Sequence, residues 1–277
     1  MSRKKWKKFP PETIERLFAA VEEDDKIGTS SVLPERIRLQ YSADNVYHCY
    51  SLCLQFWLEG VNRVALLQLV KKVMQGGILN DDERMQYKYI RARYKHLRFA
   101  QRLYTKKHEA GLFFRQTTVL LGHFQDAFRN QNKKNINLYG RLLKVYFSPP
   151  VWVRVHSSLR HAVLDDEQGF ERYRQQQIKR LKNMIINPEL TGKEFHTVRK
   201  IISQQVSYYD TLRSLNPDNL DARQLSGFLS NINGLMGDRH DEMVADKLSG
   251  RRSYSESSLM ANNIRQPIEL FLTRYPL

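Results

Sequence analysis

Cysteine is almost absent from this chain of 277 residues, which contains only Cys49 and Cys53. Their spacing places the two side chains one turn apart on one face of a helix, where a disulfide is geometrically disfavoured. The composition therefore excludes a disulfide framework and favours a reducing compartment, the cytoplasm. Together with His48, the two cysteines also fall short of the four ligands of a structural zinc site, so we expect no metal and no cofactor.

Long hydrophobic runs are also missing. The longest, near residues 52–57 and 64–70, are short and interrupted, whereas a membrane-spanning helix needs roughly 20 apolar residues. The basic start of the chain leads into Pro10 and Pro11 and not into an apolar signal core. We therefore expect a soluble protein without a membrane partner.

Carboxylates are scarce relative to basic side chains, with 29 Asp and Glu against 45 Lys and Arg, a formal net charge of +16. Such an excess makes the folded chain repel itself and attract anions. Nucleic acid, an anionic membrane surface and a phosphate polymer are the partners that this charge allows. A hydrophobic content of 41% is ample for a packed core.

Strand-type alternation bounded by hairpin turns is essentially missing, and helical periodicity takes its place. Ser148, Pro149 and Pro150 form the strongest break in the pattern. We predict an all-α protein of two similar antiparallel, four-helix-type bundles: an N-terminal helical extension over 1–44, a first bundle over 45–150 and a second over 151–277. The expected helices cover about 11–23, 44–74, 81–107, 112–130, 135–147, 151–164, 168–186, 192–215, 221–248 and 257–275.

One predicted helix carries a row of cations, which we call the basic stripe. Its members follow one another in steps of 4, 3, 4, 3 and 4 residues and share an arc of roughly 80° over about 27 Å of helix. They are Arg84, Lys88, Arg91, Lys95, Arg98 and Arg102. Like charges one turn apart repel by a few tenths of a kcal/mol each. Because no acid falls between the first and the last of them, the stripe indicates an anionic ligand.

Apolar residues border the basic stripe on both sides. Tyr87, Ile90, Tyr94, Leu97 and Tyr104 lie on one side, and Met85, Tyr89, Ala92, Phe99 and Leu103 lie on the other. An ordinary amphipathic helix has a single apolar face opposite its charges. We therefore expect this helix to pack against two neighbours, with the stripe in the groove between them.

A weaker copy of this pattern follows about 108 residues later. Aligning Lys88 with His196 brings Arg91 onto Arg199. Downstream, Leu121-Gly122-His123-Phe124-Gln125-Asp126 matches Met236-Gly237-Asp238-Arg239-His240-Asp241. An internal repeat of this kind predicts two related bundles with a pseudo-twofold axis.

These motifs resemble those of the CHAD family, the conserved histidine α-helical domain. Its pattern is a helix of the type His-x-x-Arg-x-x-x-Arg-Arg-Leu-Arg followed by a helix that ends in Leu-Gly-x-x-x-Asp, once in each half. The second half of this chain keeps His196, Arg199, Lys200 and residues 236–241, and the first half keeps Arg91, residues 95–98 and residues 121–126. The resemblance covers roughly residues 45–275.

The resemblance implies two four-helix bundles around a basic central groove or pore that binds inorganic polyphosphate, without catalysis. It further implies cytoplasmic localisation and association with polyphosphate granules; other polyanions are possible partners. The expected ligands are the basic stripe together with His96, His196, Arg199 and Lys200, extended by Arg172 and Lys179. No sequence typical of the family's companion CYTH enzyme domain occurs, so we expect a stand-alone binding domain that is not an enzyme.

The chain also departs from the family pattern. Lys88 stands where the first histidine is expected, and Ser203, Gln204 and Val206 replace arginines of the second half. The first half should therefore dominate the affinity. Because a bound anion favours the charged form of imidazole, His96 and His196 should make binding tighter as pH falls.

Two alternatives stay open. An RNA-binding or other nucleic-acid-binding helical protein could use some of its 14 tyrosines as stacking platforms. An HD-type metal phosphohydrolase could use His240-Asp241 together with His196. Asp126 and Asp241 could act as general bases, although capping a helix or pairing with a stripe arginine is the simpler role for each.

Overall fold

The computed structural model describes residues 6–23, 32–38 and 42–276. In these ranges the chain is almost entirely helical, which confirms the all-α prediction. The helices are α1 Pro11–Glu23, α2 Ala43–Gly60, α3 Arg63–Met74, α4 Asp81–Tyr104, α5 Leu112–Arg129, α6 Lys133–Tyr146, α7 Pro149–Arg160, α8 Glu167–Ile186, α9 Gly192–Leu215, α10 Leu220–Leu248 and α11 Asn262–Arg274. Two short strands, β1 Glu189–Leu190 and β2 Ser258–Leu259, pair antiparallel. The basic start, residues 1–5, and residues 24–26 lie outside the described residues.

The two helices that carry the basic motifs start in the same way. At α4, the Asn80 side chain accepts from the backbone N–H of Glu83, whose carboxylate in turn accepts from the backbone N–H of Asn80. At α9, Thr191 and Glu194 form the same reciprocal capping box. Such caps satisfy N–H groups that a helix start otherwise leaves without partners. Both helices consequently begin at a defined residue and run for 24 residues.

One predicted helix is interrupted. The apolar periodicity over 44–74 predicts a single helix, but the structure ends α2 at Gly60 and starts α3 at Arg63. The side chain of Asn62 accepts from the backbone N–H groups of Val64 and Ala65, so it caps the new helix. Gly60 also lies against the Arg93 side chain, which leaves no room for a Cβ atom.

The chain forms two compact units whose limits differ from the expected bundles. The first unit comprises residues 6–9 and 47–165, and the second comprises the described residues of 10–46 and 166–276. The boundary lies near 165 and not at 150 because α7 packs on α5 and α6. The N-terminal helix α1 is not a separate extension, since it packs along α9 within the second unit.

Aromatic side chains fill the core of the first unit. Trp57 of α2 is fully buried and meets the rings of Tyr94, Phe114 and Trp152 at centroid distances of 5.5 to 5.7 Å. These contacts hold α2, α4, α5 and α7 together. In the second unit the core is centred on α9, every residue of which is buried from Ile201 to Thr211.

Among the described residues, no helix combines the length and the apolar character needed to cross a bilayer.

The segment 249–257, whose composition is typical of a linker, belongs to the second unit and does not join two domains. Within it, Arg251 pairs with Asp246 at 3.0 Å and Arg252 pairs with Glu256 at 2.8 Å.

Candidate polyanion-binding site

The basic stripe lies along α4 with a gradient of burial. Arg84, Lys88 and Lys95 are exposed, whereas the side chains of Arg91, Arg98 and Arg102 are half-buried. Guanidinium groups that are partly shielded from water interact more strongly with an anion than fully hydrated charges do. The half-buried arginines are therefore the strongest candidates for ligand contacts.

Carboxylates do little to neutralise the arginines of the basic stripe. Arg84 approaches Asp81 at 3.9 Å, and both side chains are largely exposed. Within the described part of the chain, Arg91, Arg98 and Arg102 form no ion pair with an acidic side chain. A row that served only to hold the fold together would be expected to have such partners.

The expectation of apolar packing on both sides holds for only part of the helix. Tyr87, Ile90, Tyr94, Leu97 and Tyr104 are all buried, as predicted for the first flank. On the other flank Phe99 and Leu103 are buried, but Met85 is 40% exposed and Tyr89 is half-buried. The first turns of α4 are consequently covered on one side alone.

His96 is placed in the core and not beside the stripe, which corrects its assignment as a ligand. Its ring is 5% exposed and meets the ring of Phe56 edge-on, with centroids 5.9 Å apart. Burial, together with the charge of Lys95, lowers the pKa of His96 to about 3. The side chain therefore stays neutral at physiological pH, so that His96 adds no pH dependence to anion binding, contrary to the sequence-based expectation.

Helix α5 runs antiparallel to α4 and contributes to the same surface, which we call the α4–α5 seam. The Arg91 guanidinium crosses α5 at Gly122, where a Cβ atom would lie 3.5 Å from Nη2. Its Nη1 donates to Oε1 of Gln125 at 3.0 Å, and one turn away the Tyr87 hydroxyl donates to the carbonyl of Leu121 at 2.8 Å. The Arg91 guanidinium thus lies across α5 at an ordinary van der Waals distance from the position of a Cβ atom.

Seven residues further along α4, Arg98 meets a cation of α5. Burial lowers the pKa of Arg98, and the charges of Arg102 and Arg115 lower it further. Arg115 is seven residues before Gly122, as antiparallel helices require. Arg129, seven residues after that glycine, is exposed in the last turn of α5. The α4–α5 seam therefore gathers arginines from two helices.

The second unit contains a corresponding seam between α9 and α10. The guanidinium of Arg199 lies against Gly237, where a Cβ atom would come within 2.8 Å of Nη2. One turn away, the rings of His196 and His240 stack with their centroids 4.8 Å apart. Lys200 is exposed beside them. This end of the α9–α10 seam brings together three of the predicted ligands.

At the remaining positions that correspond to the basic stripe, the α9–α10 seam is neutral or acidic. Ser203 donates to Asn233, and further along Ser226 donates to the fully buried Asp210. Asp210 occupies the place of Arg102 in the repeat. Side-chain hydrogen bonds thus replace the cations of the first unit, in agreement with the sequence departures.

Arg172 and Lys179 lie on the exposed face of α8. Helix α8 contacts α9 through Tyr173, whose hydroxyl accepts from Gln204, through Arg174, which donates to Gln205, and through the ring of Phe170, which packs on Tyr208. Arg172 and Lys179 point away from these contacts. The structure therefore does not bring the two side chains to the α9–α10 seam.

Asp126 and Asp241 are exposed, and neither caps a helix start. Asp241 lies 3.8 Å from Nδ1 of His240, and α10 continues beyond it to Leu248. The closeness of His196 and His240 is what the phosphohydrolase alternative needs. However, the described residues contain no group of three His, Cys, Asp or Glu side chains that could hold a metal ion.

Sequence reasoning missed Arg115, Arg129, His240 and Tyr254. Arg115 and Arg129 are spaced by seven residues on either side of Gly122, and this heptad spacing is the signal that could have revealed them. His240 appeared in the repeat motif and in the metal hypothesis, but not among the expected polyphosphate ligands. Tyr254, whose hydroxyl lies 2.9 Å from Nε2 of His240, is in a segment without periodicity, so no sequence signal links the two.

Comparisons of this chain with family models, with curated proteins and with solved structures found no match.

Proposed function

We propose that this protein binds inorganic polyphosphate, without catalysis, chiefly through the arginines of the α4–α5 seam. The observation that carries the proposal is the half-buried group of Arg98 and Arg102 next to Arg115. Burial and the two neighbouring charges lower the pKa of Arg98, and none of the three arginines pairs with an acidic side chain among the described residues. Such an arrangement costs free energy unless an anion compensates it.

Polyphosphate suits this surface chemically. The polymer has about one negative charge per phosphate and offers no bases, so it can be recognised only by spaced cations and hydrogen-bond donors. Arginine forks match phosphate oxygens in bidentate geometry, while Lys88 and Lys95 supply compact charges at the exposed edge. Cations repeat along α4 about once per helical turn, so that each successive phosphate of the polymer can meet a different cation.

The internal repeat supports the CHAD resemblance. In each unit an arginine of the motif helix crosses a glycine of the next helix: Arg91 at Gly122 and Arg199 at Gly237. The proposal therefore includes the family's architecture, two similar bundles related by a pseudo-twofold axis with a basic groove. It also includes a stand-alone, cytoplasmic binding protein.

The nucleic-acid alternative is less well supported. Single-stranded nucleic acid binds by stacking bases on accessible aromatic rings. Three of the tyrosines that flank the stripe, Tyr87, Tyr94 and Tyr104, are 1% exposed and belong to the core. Tyr89 is half-buried and is the remaining candidate for stacking.

A competition experiment tests the proposal. Long-chain polyphosphate is titrated against a fluorescent single-stranded RNA that carries the same total charge. We expect polyphosphate to displace the RNA at a much lower charge concentration, with a log–log salt slope of about −4 to −6 if six to eight phosphates are neutralised. Equal competition by both polymers would favour the nucleic-acid alternative, and a flat salt dependence would eliminate the charge-array explanation.

The glycine of the second seam gives a second prediction. In Gly237→Ala the new methyl group would force the Arg199 guanidinium away from α10, whereas the helix gains up to about 1 kcal/mol because Ala replaces Gly. We expect unchanged or higher thermal stability and an affinity for polyphosphate reduced by up to about tenfold. In Gly122→Ala, the matched control, the methyl group meets Arg91 at an ordinary contact distance and binding should be unchanged. Equal affinities of the two variants would contradict this role of Gly237.

A further inference from the structure

His240 is at the centre of a small cluster at one end of the α9–α10 seam. Its ring stacks on His196 of α9, with centroids 4.8 Å apart and an angle of 29° between the planes. Its Nε2 lies 2.9 Å from the hydroxyl of Tyr254, so the two groups form a hydrogen bond in either tautomer. An aromatic hydroxyl and two imidazoles are thus held within reach of one another.

Tyr254 is fixed in place by the start of α9. The backbone N–H of Gly192 donates to the carbonyl of Tyr254 at 3.0 Å. The Tyr254 ring lies so close to Gly192 that a Cβ atom at that position could not be accommodated. The tyrosine is therefore positioned by backbone contacts on one side and by the histidine pair on the other.

The charged groups around His240 are mostly positive. From α9 it faces Arg199 and Lys200, and burial together with these two charges lowers its pKa, while the neighbouring Asp241 acts in the opposite direction. On α10, the charge of Arg239 is paired with Glu242 at 2.8 Å. From the 249–257 segment His240 faces Tyr254, with the ammonium group of Lys247 lying 5.5 Å from the centre of that ring. The free protein consequently favours a neutral imidazole at this place.

We propose that His196, His240 and Tyr254 form a phosphate subsite that takes up a proton when polyphosphate binds. This inference rests on the proposed function and adds a specific binding role and a pH dependence for the second unit. A phosphate oxygen beside the histidine pair accepts a hydrogen bond from a ring N–H. The negative charge also offsets Arg199 and Lys200, so the cationic imidazole becomes favourable.

The proton comes from solvent and adds to a ring nitrogen, and no other bond is formed or broken. Tyr254 positions His240, since its hydroxyl holds the ring orientation before the anion arrives. Because the complex holds more protons than the free protein, affinity rises as pH falls. Linkage limits the change to about tenfold per pH unit for each proton taken up.

The test measures binding of long-chain polyphosphate, in which terminal groups are a negligible share of the phosphates, at pH 6 and pH 8. We expect the unaltered protein to bind about tenfold or more tightly at pH 6. In His240→Asn most of this difference should disappear, and at pH 8 the affinity should change little because the imidazole is neutral there. His161→Asn, which alters an exposed histidine of the first unit, is the matched control and should keep the full pH dependence.

Calorimetry in two buffers that differ in ionisation enthalpy counts the protons directly. Net proton uptake near pH 7 should fall in His240→Asn and in Tyr254→Phe, which keeps the ring packing and removes the hydroxyl. Tyr254→Phe keeps the test decisive if His240→Asn proves unstable in thermal unfolding. Uptake and pH dependence that are unchanged in a folded variant would overturn this inference while leaving polyphosphate binding intact. A complete lack of polyphosphate binding at both pH values would overturn the proposed function as well.

Discussion

Replacing Arg91, Arg98 and Arg102 together by glutamine should weaken polyphosphate binding by on the order of a thousandfold. Each half-buried guanidinium is expected to make a charge-assisted hydrogen bond that contributes about 1.5 kcal/mol, so three contribute about 4.5 kcal/mol. Glutamine keeps most of the side-chain length and removes the charge. The affinity is measured by titration at fixed ionic strength, with thermal unfolding as the check on folding. Because the replaced charges repel one another in the free protein, the variant should be at least as stable as the original chain.

A matched variant separates this site from net charge. Lys133, Arg141 and Lys144 are exposed on α6, a helix of the same unit that carries no acidic residue. Replacing these three by glutamine makes the same change in total charge. We expect a modest loss of affinity, mainly through weaker long-range attraction. A loss equal to that of the seam variant would mean that polyphosphate binds wherever positive charge is found, and the proposed site would be abandoned.

The second large effect concerns stability. Asp210→Ala should lower the free energy of unfolding by about 3–5 kcal/mol, because it removes one member of a buried ion pair and leaves the other behind. Asp210 is fully buried; it accepts from Ser226 Oγ, and Arg213 Nε lies 3.2 Å from its Oδ1. Arg213 has a second acidic partner in Glu23, at 2.6 Å, which places the effect towards the lower end of this range. Urea denaturation measures the change.

Asp246→Ala is the control for this prediction. Asp246 pairs with Arg251 at 3.0 Å, but the arginine is 70% exposed and water screens the pair. Its removal should cost no more than about 1 kcal/mol. If Asp210→Ala also costs less than that, the buried pair has no special part in the α9–α10 seam. Folded Asp210→Ala protein should still bind polyphosphate normally, since Asp210 is buried and is not among the proposed polyphosphate ligands.

Helix starts that are marked by capping side chains could be predicted from the sequence. The break inside an apolar-periodic segment could not. The starts of α9 and α4 follow from Thr191-x-x-Glu194 and Asn80-x-x-Glu83, whose side chains cap the first turn. The break between α2 and α3 was missed because the apolar pattern continues across it. At this break the Asn62 side chain caps the start of a new helix although the apolar pattern continues.

The candidate site likewise has one part that the sequence predicts and another that it does not. Residues on one helix face follow from a repeat of 3.6 residues, so the stripe was found from the sequence. The same geometry places His96 about 120° from Arg84, within the apolar flank of Phe99 and Leu103, and could have excluded it as a ligand. Partners on other elements, such as Arg115 and Tyr254, depend on how a second helix or a loop is rotated against the first. A single sequence does not specify that rotation.

Crowded guanidinium groups have a thermodynamic consequence for the isolated protein. Repulsion along the α4–α5 seam opposes folding most strongly in dilute buffer, where few counterions are available. Added electrolyte should therefore strengthen the fold, in contrast to proteins that depend on surface ion pairs, and multivalent anions such as sulfate should do so at lower concentration. A polymer that occupies the seam acts as a stabilising ligand by mass action. The lifetime of the folded chain would then follow the supply of its ligand.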